Sequence, residues 1–579
     1  MKKSILATLS TAVLLGTFGC KESILDENPQ SILVPSFLGT PQGVEAGLTG
    51  VYSGLRGVYT NEGGMSMAVV GTDEFMTGIQ PESGLDNYNA TLSPLTCAPA
   101  IDQWGVIYRY INDANGVIQY AATVQGLDPA RVKQVVAEAK LLRAQYYFLL
   151  VQYYGDVPLS LGFVSSPTKD IVKSPVASVY AAIVTDLTDA VANIAVRPAQ
   201  PGRVTQATAL HLLAKVYLAR ASSDAKQSTD YTNAAKFAQQ LIDNQSTYGA
   251  GLEADPANVF AEGNENGKEV LFNVQFNGDQ TFTGQDPFNY VGANQANFFF
   301  RSRYDKLPNM TRDIANGRPY ARFCPTPRMA GYQDIYILPG ETGKQIHTTD
   351  TRYNKWFTTV WKVNLPSANG GRASAVVGDT AAWYPGRDLT AAEQARIATR
   401  TGGPFTVYTP GQYTTEYYPV LNKYDDTRRT GLNNPSIRPF IVYRLAETYL
   451  VAAEAYFNLN NTTAAANLLN VVRERAGATG RKTQMDITPA QVTQDFILDE
   501  RSRELAGEQT RWLDLVRTKT LVARVQAYTP AVSARPAGIY GSAAAANIRP
   551  FHVLRPIPQP EVDRTLNQPG GGIKQNPGY

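Results

Sequence analysis

Residues Glu138–Pro158 read EAKLLRAQYYFLLVQYYGDVP, and their spacing predicts a helix at the centre of the molecule. Ala139, Leu142, Tyr146, Leu149 and Tyr153 recur three and four apart, which is one helical face. Leu141, Ala144, Phe148 and Val151 repeat the spacing on a second face. A helix apolar around most of its circumference belongs among other helices, not on a surface. Gly155 supplies a stop, and Pro158 confirms that the helix is over.

Outward from this stretch, further helices are announced by their starts. Thr40-Pro41, Asp128-Pro129, Ser174-Pro175 and Thr488-Pro489 each set a capping side chain before Pro at a first helical position. Thr488 with Gln491 also fits a capping box. Helices are expected over 40–59, 104–120, 174–195, 205–221 and 231–244, with long loops across 60–100. The segments 207–221 and 233–242 alternate small and bulky residues like a tetratricopeptide hairpin, although no strict repeat period is visible. Residues 245–435 change character. KEVLFNVQF (268–276) reads as a strand, followed by loops dense in Gly, Pro, Asn and aromatics, and helices resume at Arg438.

The chain of 579 residues is 43% hydrophobic and 18% charged, an ordinary globular balance. A net charge of +3, falling to +1 once Lys2 and Lys3 are set aside, argues against a nucleic-acid partner, which usually needs a basic stripe. Residues 1–19 read as a signal peptide, with a basic start and an apolar run too short to span a bilayer. Gly19-Cys20 then resembles a bacterial lipoprotein cleavage site, with Cys20 the lipidated residue. Cys97 and Cys324 are far apart in sequence and read as buried free thiols.

Glu138, Arg143, Ala144, Tyr147, Phe148, Tyr154, Gly155, Asp156, Val157 and Pro158 together resemble a signature of the SusD/RagB family, surface lipoproteins of Bacteroidetes that capture nutrients. The helix RLAETYLVAAEA (444–455) resembles a second signature. Glu500, Arg501, Glu504, Leu505, Glu508, Arg511, Trp512, Asp514, Leu515 and Arg517 resemble a third, and Arg555–Pro558 with Gln575–Tyr579 a fourth. Asp350-Thr351-Arg352 and Lys423-Tyr424 resemble landmarks in the sparser middle. The resemblance implies a mainly α fold of degenerate tetratricopeptide-like helix pairs with a loop-rich insert carrying a few short strands. It divides the mature chain into an N-terminal helical part (20–245), a variable ligand-binding part (246–435) and a C-terminal helical part (436–579), packed as one compact unit. It further implies a non-enzymatic, lipid-anchored outer-membrane protein that captures a glycan and delivers it to a SusC-like TonB-dependent β-barrel. Peptide capture within the same family, an envelope hydrolase and a scaffold that binds only protein are the alternatives.

Chemistry leaves few traces in the sequence. Glu500, Glu504 and Glu508 share one helix face, but Arg501, Arg503 and Arg511 interleave and read as their neutralising partners. His211 sits in an Ala/Leu-rich helix as a core residue, and His347 and His552 have no ligand cluster around them. There is no H-E-x-x-H, no G-x-S-x-G and no calcium loop, so neither a cofactor nor a metal is expected. Glu138, Arg143, Glu500, Arg501, Glu504, Arg511 and Asp514 are therefore assigned to scaffold. Ligand binding is expected on two aromatic, amide-rich loops: Asp86, Asn87 and Tyr88 in one, Phe282, Asp286, Tyr290 and Asn297 in the other. Tyr88 and Tyr290 lead because a phenol both stacks and hydrogen-bonds. The surroundings of Trp356, Trp361 and Trp383 are the alternative position.

Overall fold

The structure, a computed structural model, describes residues 35–79, 84–166, 168–278, 292–330, 349–401, 403–529, 542–568 and 571–579. Its frame is a row of helices packed side by side: α1 (Pro41–Tyr59), α2 (Glu62–Val69), α3 (Ala98–Ala121), α4 (Pro129–Tyr154), α5 (Val176–Asn193), α6 (Gln206–Ala221) and α7 (Asp230–Asp243). The row continues through α8 (Leu445–Asn458), which packs on α7, and α9 (Thr462–Ala476), which packs on α8. The C-terminal helices α10 (Gln494–Leu505) and α11 (Arg511–Arg517) close against α8, α2 and α4. Helix α4 is buried on every face from Ala137 to Val151 except at Lys140. It ends at Gly155, whose φ of 72° is a conformation that a side chain resists.

The starts explain themselves at Thr40, which accepts from Gly43 N, and at Asp128, which accepts from Ala130 N and Arg131 N. Two expected starts move. Ser174 does not cap α5; the Val176 amide instead donates to Asp156 Oδ1 at 2.9 Å, so the Asp of the Gly-Asp-Val-Pro exit caps the next helix from twenty residues away. Thr488-Pro489 opens only a 3₁₀ turn, and α10 begins later, with Thr493 accepting from Phe496 N. Within 60–100, read from the sequence as long loops, the described residues hold α2 and the strand β1 (Phe75–Thr77). At Arg438 the chain resumes with a strand before α8, because Phe440–Arg444 pairs antiparallel with Val270–Val274.

One core runs from Val44 to Ile573 and takes in both helical flanks. A second, smaller core sits in the insert, where Tyr304, Leu307, Trp361, Ala382, Tyr384, Tyr413 and Tyr418 pack with Met76 and Cys324. Short antiparallel pairs and a three-stranded sheet (Val360–Lys362, Thr380–Trp383, Thr406–Val407) support it. Cys97 and Cys324 are both buried and unbridged.

Candidate functional site

The expected scaffold residues form a buried ionic lattice. Glu504 on α10 accepts from Arg444 at 2.6 Å and Arg352 at 2.9 Å, and also pairs with Arg475. Glu500 faces Arg352 at 2.7 Å and Arg473 at 2.5 Å. Glu508 takes Lys423 at 2.6 Å and Arg444 at 2.8 Å. The neutralising charges thus arrive from distant segments and not, as the spacing implies, from the interleaved arginines, of which only Arg503 reaches Glu500. Arg501 instead binds Asp514 and Glu447, and Arg511 binds Asp73. On α4, Arg143 makes a two-pronged pair with Asp186, and Glu138 gathers Arg131, Arg203 and the Tyr52 hydroxyl. Burial acts to raise the Glu500 carboxyl, but Arg352 and Arg473 outweigh it and hold the group at about 2. Every carboxylate in the row is committed to a cation, which leaves none poised for acid–base work. His211 is equally committed, its ring nitrogens against Thr448 at 2.8 Å and Glu447 at 3.1 Å.

The first expected ligand loop turns inward. Tyr88 is 3% exposed, its hydroxyl donates to Gly71 O at 2.5 Å, and its ring rests on His552. Its ring therefore has no face for a ligand, which corrects the choice of Tyr88 as a platform. Asp86 is buried and accepts from Thr77 N, while Asn87 binds Ser542, Ala543 and Asn547. This loop fastens β1 to the C-terminal segment. Phe282, Asp286 and Tyr290 lie outside the described residues. Asn297 is buried, and its amide nitrogen and oxygen have no hydrogen-bond partner among the described residues. Trp356, Trp361 and Trp383 are each 2% exposed and are core side chains, so the alternative position does not lie on their rings.

What the insert does present is a ladder of tyrosines. Trp383 and Val407 are paired in a parallel register, so the residues that follow them, Tyr384 and Tyr408, emerge side by side. Their rings stack at 5.1 Å and 12°, and Tyr417 stacks on Tyr408 at 5.3 Å and 18°. Tyr384 is buried, Tyr408 is a half-buried middle rung, and half-buried Tyr417 ends the ladder. Thr414 shapes the tip of the turn: its hydroxyl accepts from Glu416 N and Tyr417 N. Beside the ladder Arg303 donates to Asp305 at 3.0 Å, and its backbone amide holds Glu416 O at 2.8 Å. Burial pushes the Tyr408 hydroxyl up to about 12, and Tyr417 is raised by burial and by Glu416, so both stay neutral donors in ordinary buffers. A flat aromatic face at the end of the ladder, with polar ring edges and a guanidinium and carboxylates beside it, suits a sugar ring, which offers C–H faces and a hydroxyl edge. Neither 408 nor 417 stands out in the sequence, because their stacking depends on a register between two very short strands.

The frame is thus a set of packed helix pairs that carries the tyrosine ladder on an inserted loop region. The SusD family's sequence model matches residues 268–579, more than half of the chain, and a SusD-like model described as "starch-binding associating with outer membrane" matches residues 24–218. The chain belongs to the SusD family. It is 24% identical over 573 residues to "SusD-like protein P25" of Formosa agariphila, covering 95% of each chain. Over 289 residues it is 27% identical to a "SusD-like protein" of Bacteroides ovatus, covering 48% of this chain and 50% of that one. Among solved structures, a "laminarin binding SusD-like protein" superposes with a TM-score of 0.65 at 24% identity, over 93% of this chain and all of the other. "Surface glycan-binding protein A" from Bacteroides fluxus superposes at 0.64 and 19% identity with the same coverage. The fold is SusD-like and mainly α.

Proposed function

We propose that this protein captures a glycan at the outer-membrane surface and passes it, unaltered, to a SusC-like TonB-dependent β-barrel. The observation that carries the reading is the Tyr384–Tyr408–Tyr417 ladder, a stacked platform with two half-exposed rungs set beside Arg303, Asp305 and Glu416. Structural relatives titled as laminarin-binding and surface glycan-binding support a saccharide as the ligand class. The pairing of Glu500, Glu504 and Glu508 with buried cations supports a scaffold role for that row and not catalysis by it. Anchoring is assigned to lipid on Cys20, which lies outside the described residues. No helix among the described residues is long and apolar enough to cross a membrane.

Binding would hold the saccharide on a rigid frame, and the barrel would draw it away. Co-purification from detergent-solubilised outer membranes tests the partnership: a TonB-dependent barrel should come down with an affinity-tagged chain. A tagged chain recovered without any β-barrel contradicts the delivery step.

A further inference from the structure

A second cavity lies away from the tyrosine ladder, between the turn that joins α5 to α6 and the loop leading into the Val270–Val274 strand. Its volume is about 460 Å³, within the ~300–1,000 Å³ typical of small-ligand sites. Arg197, Arg203 and Lys268 line it, and among the described residues no Asp or Glu does. Lys268 is exposed and has no carboxylate within salt-bridge distance among the described residues. Among the described residues, Arg197 is held by the carbonyl of Ser246 alone, at 2.9 Å. It crosses the backbone at Gly249, whose φ is 65° and where a Cβ would lie 1.4 Å from the guanidinium, so glycine is what permits this placement. Arg203 is stacked on Tyr52 at 4.8 Å and shares Glu138 with Arg131. With Arg203 paired to Glu138, Arg197 and Lys268 leave this concave site positively charged.

The rest of the lining is suited to hydroxyls. Asn266 Oδ1 accepts from Asn273 at 2.9 Å and from Gln275 at 3.2 Å, so its amide nitrogen remains a donor, and Tyr248 offers a half-buried ring. We infer that this cavity is a second saccharide site that takes an anionic sugar, its carboxylate or sulfate held between Arg197 and Lys268. The inference rests on the glycan reading above for the class of ligand, and on the cavity alone for the charge.

The test is calorimetric titration with three hexasaccharides of equal length: a neutral β-glucan, an oligogalacturonate and a sulfated galactan. The proteins are the mature chain, Arg197→Ala/Lys268→Ala and Tyr417→Ala, each checked for an unchanged melting temperature. The expected result is tighter binding of one anionic oligomer than of the neutral one, weakening as salt is raised. The Arg197→Ala/Lys268→Ala variant should then lose about ten-fold or more in that affinity, the cost of a charge-assisted hydrogen bond, while Tyr417→Ala retains binding at this cavity. Which anionic oligomer responds separates carboxylate from sulfate. Neutral binding with no anionic preference, or an anionic affinity unchanged in the double variant, overturns the cavity and leaves glycan capture standing. Binding of none of the three at either site counts against both.

Discussion

Asp73 and Arg511, 438 residues apart, face each other in a two-pronged pair with both contacts at 2.7 Å and both side chains buried. The pair ties the turn before β1 to the first residue of α11, so the N-terminal and C-terminal flanks are joined by charge as well as by apolar packing. Arg328 and Arg524 add to the same carboxylate, which holds Asp73 far below the usual carboxylate range despite its burial.

Breaking the lattice should unfold the protein before it alters any affinity. Arg511→Ala, like Arg501→Ala or Glu504→Ala, strands a buried charge, at a cost on the order of 3–5 kcal/mol. Chemical denaturation should report that loss. An unchanged midpoint with lost glycan binding would contradict the scaffold role.

Glu74 gives stability a pH dependence of opposite sign to its neighbours. Burial raises its carboxyl from 4.5 to about 7, although Arg511 lies 3.4 Å away. Between those values the folded state holds a proton that the unfolded state has released, so stability falls as pH rises from about 4.5 to about 7. The paired carboxylates Glu500 and Glu504 behave the other way: their contribution is intact above 4.5 and is lost as pH falls, for Glu500 through about 2. Glu74→Gln should flatten the upper limb and gain a few kcal/mol, about 3, at pH near 8. Melting curves across pH would contradict this if the variant and the parent kept parallel profiles.

Tyr88→Ala should destabilise the chain, because it empties a buried site and frees the Gly71 carbonyl. A loss of about 3–5 kcal/mol is expected for deleting a buried aromatic. A variant that melts like the parent but no longer binds glycan would restore Tyr88 to the ligand site.

Cys20→Ala should move the protein from the detergent phase to the aqueous phase in a phase-partition assay. Lipid chains anchor firmly only when more than one is attached, and a lipoprotein cysteine carries several. Membrane retention of the variant would point to another anchor.

The frame was legible because it obeys a local period. The two apolar faces of 138–153 and the starts at Thr40 and Asp128 are properties of neighbouring residues, and the structure contains them. The partners of Glu500, Glu504 and Glu508 are not local: Arg352, Lys423, Arg444, Arg473 and Arg475 arrive from four other segments. Yet Arg352 and Lys423 belong to the landmarks that stand out in the sparse middle, and their place in the lattice gives a physical reason for them. The loop at 86–88 misleads because Asp-Asn-Tyr among polar residues looks exposed. Its left-handed Tyr88, with φ 51°, folds the ring inward instead. The tyrosine ladder has no linear signature at all, since 384, 408 and 417 meet only through sheet register and a turn.

Glycan capture without chemistry is tested most directly by affinity electrophoresis of the mature chain in native gels containing laminarin, starch, alginate or a sulfated galactan, followed by chromatography of each polysaccharide. The account predicts retardation by at least one of them with its chain length unchanged. In Tyr408→Ala/Tyr417→Ala that retardation should drop about ten-fold or more, as expected for losing two stacked rings, while the corresponding Phe variants keep most of it. Migration unaffected by every polysaccharide, or the appearance of shortened products, would contradict it.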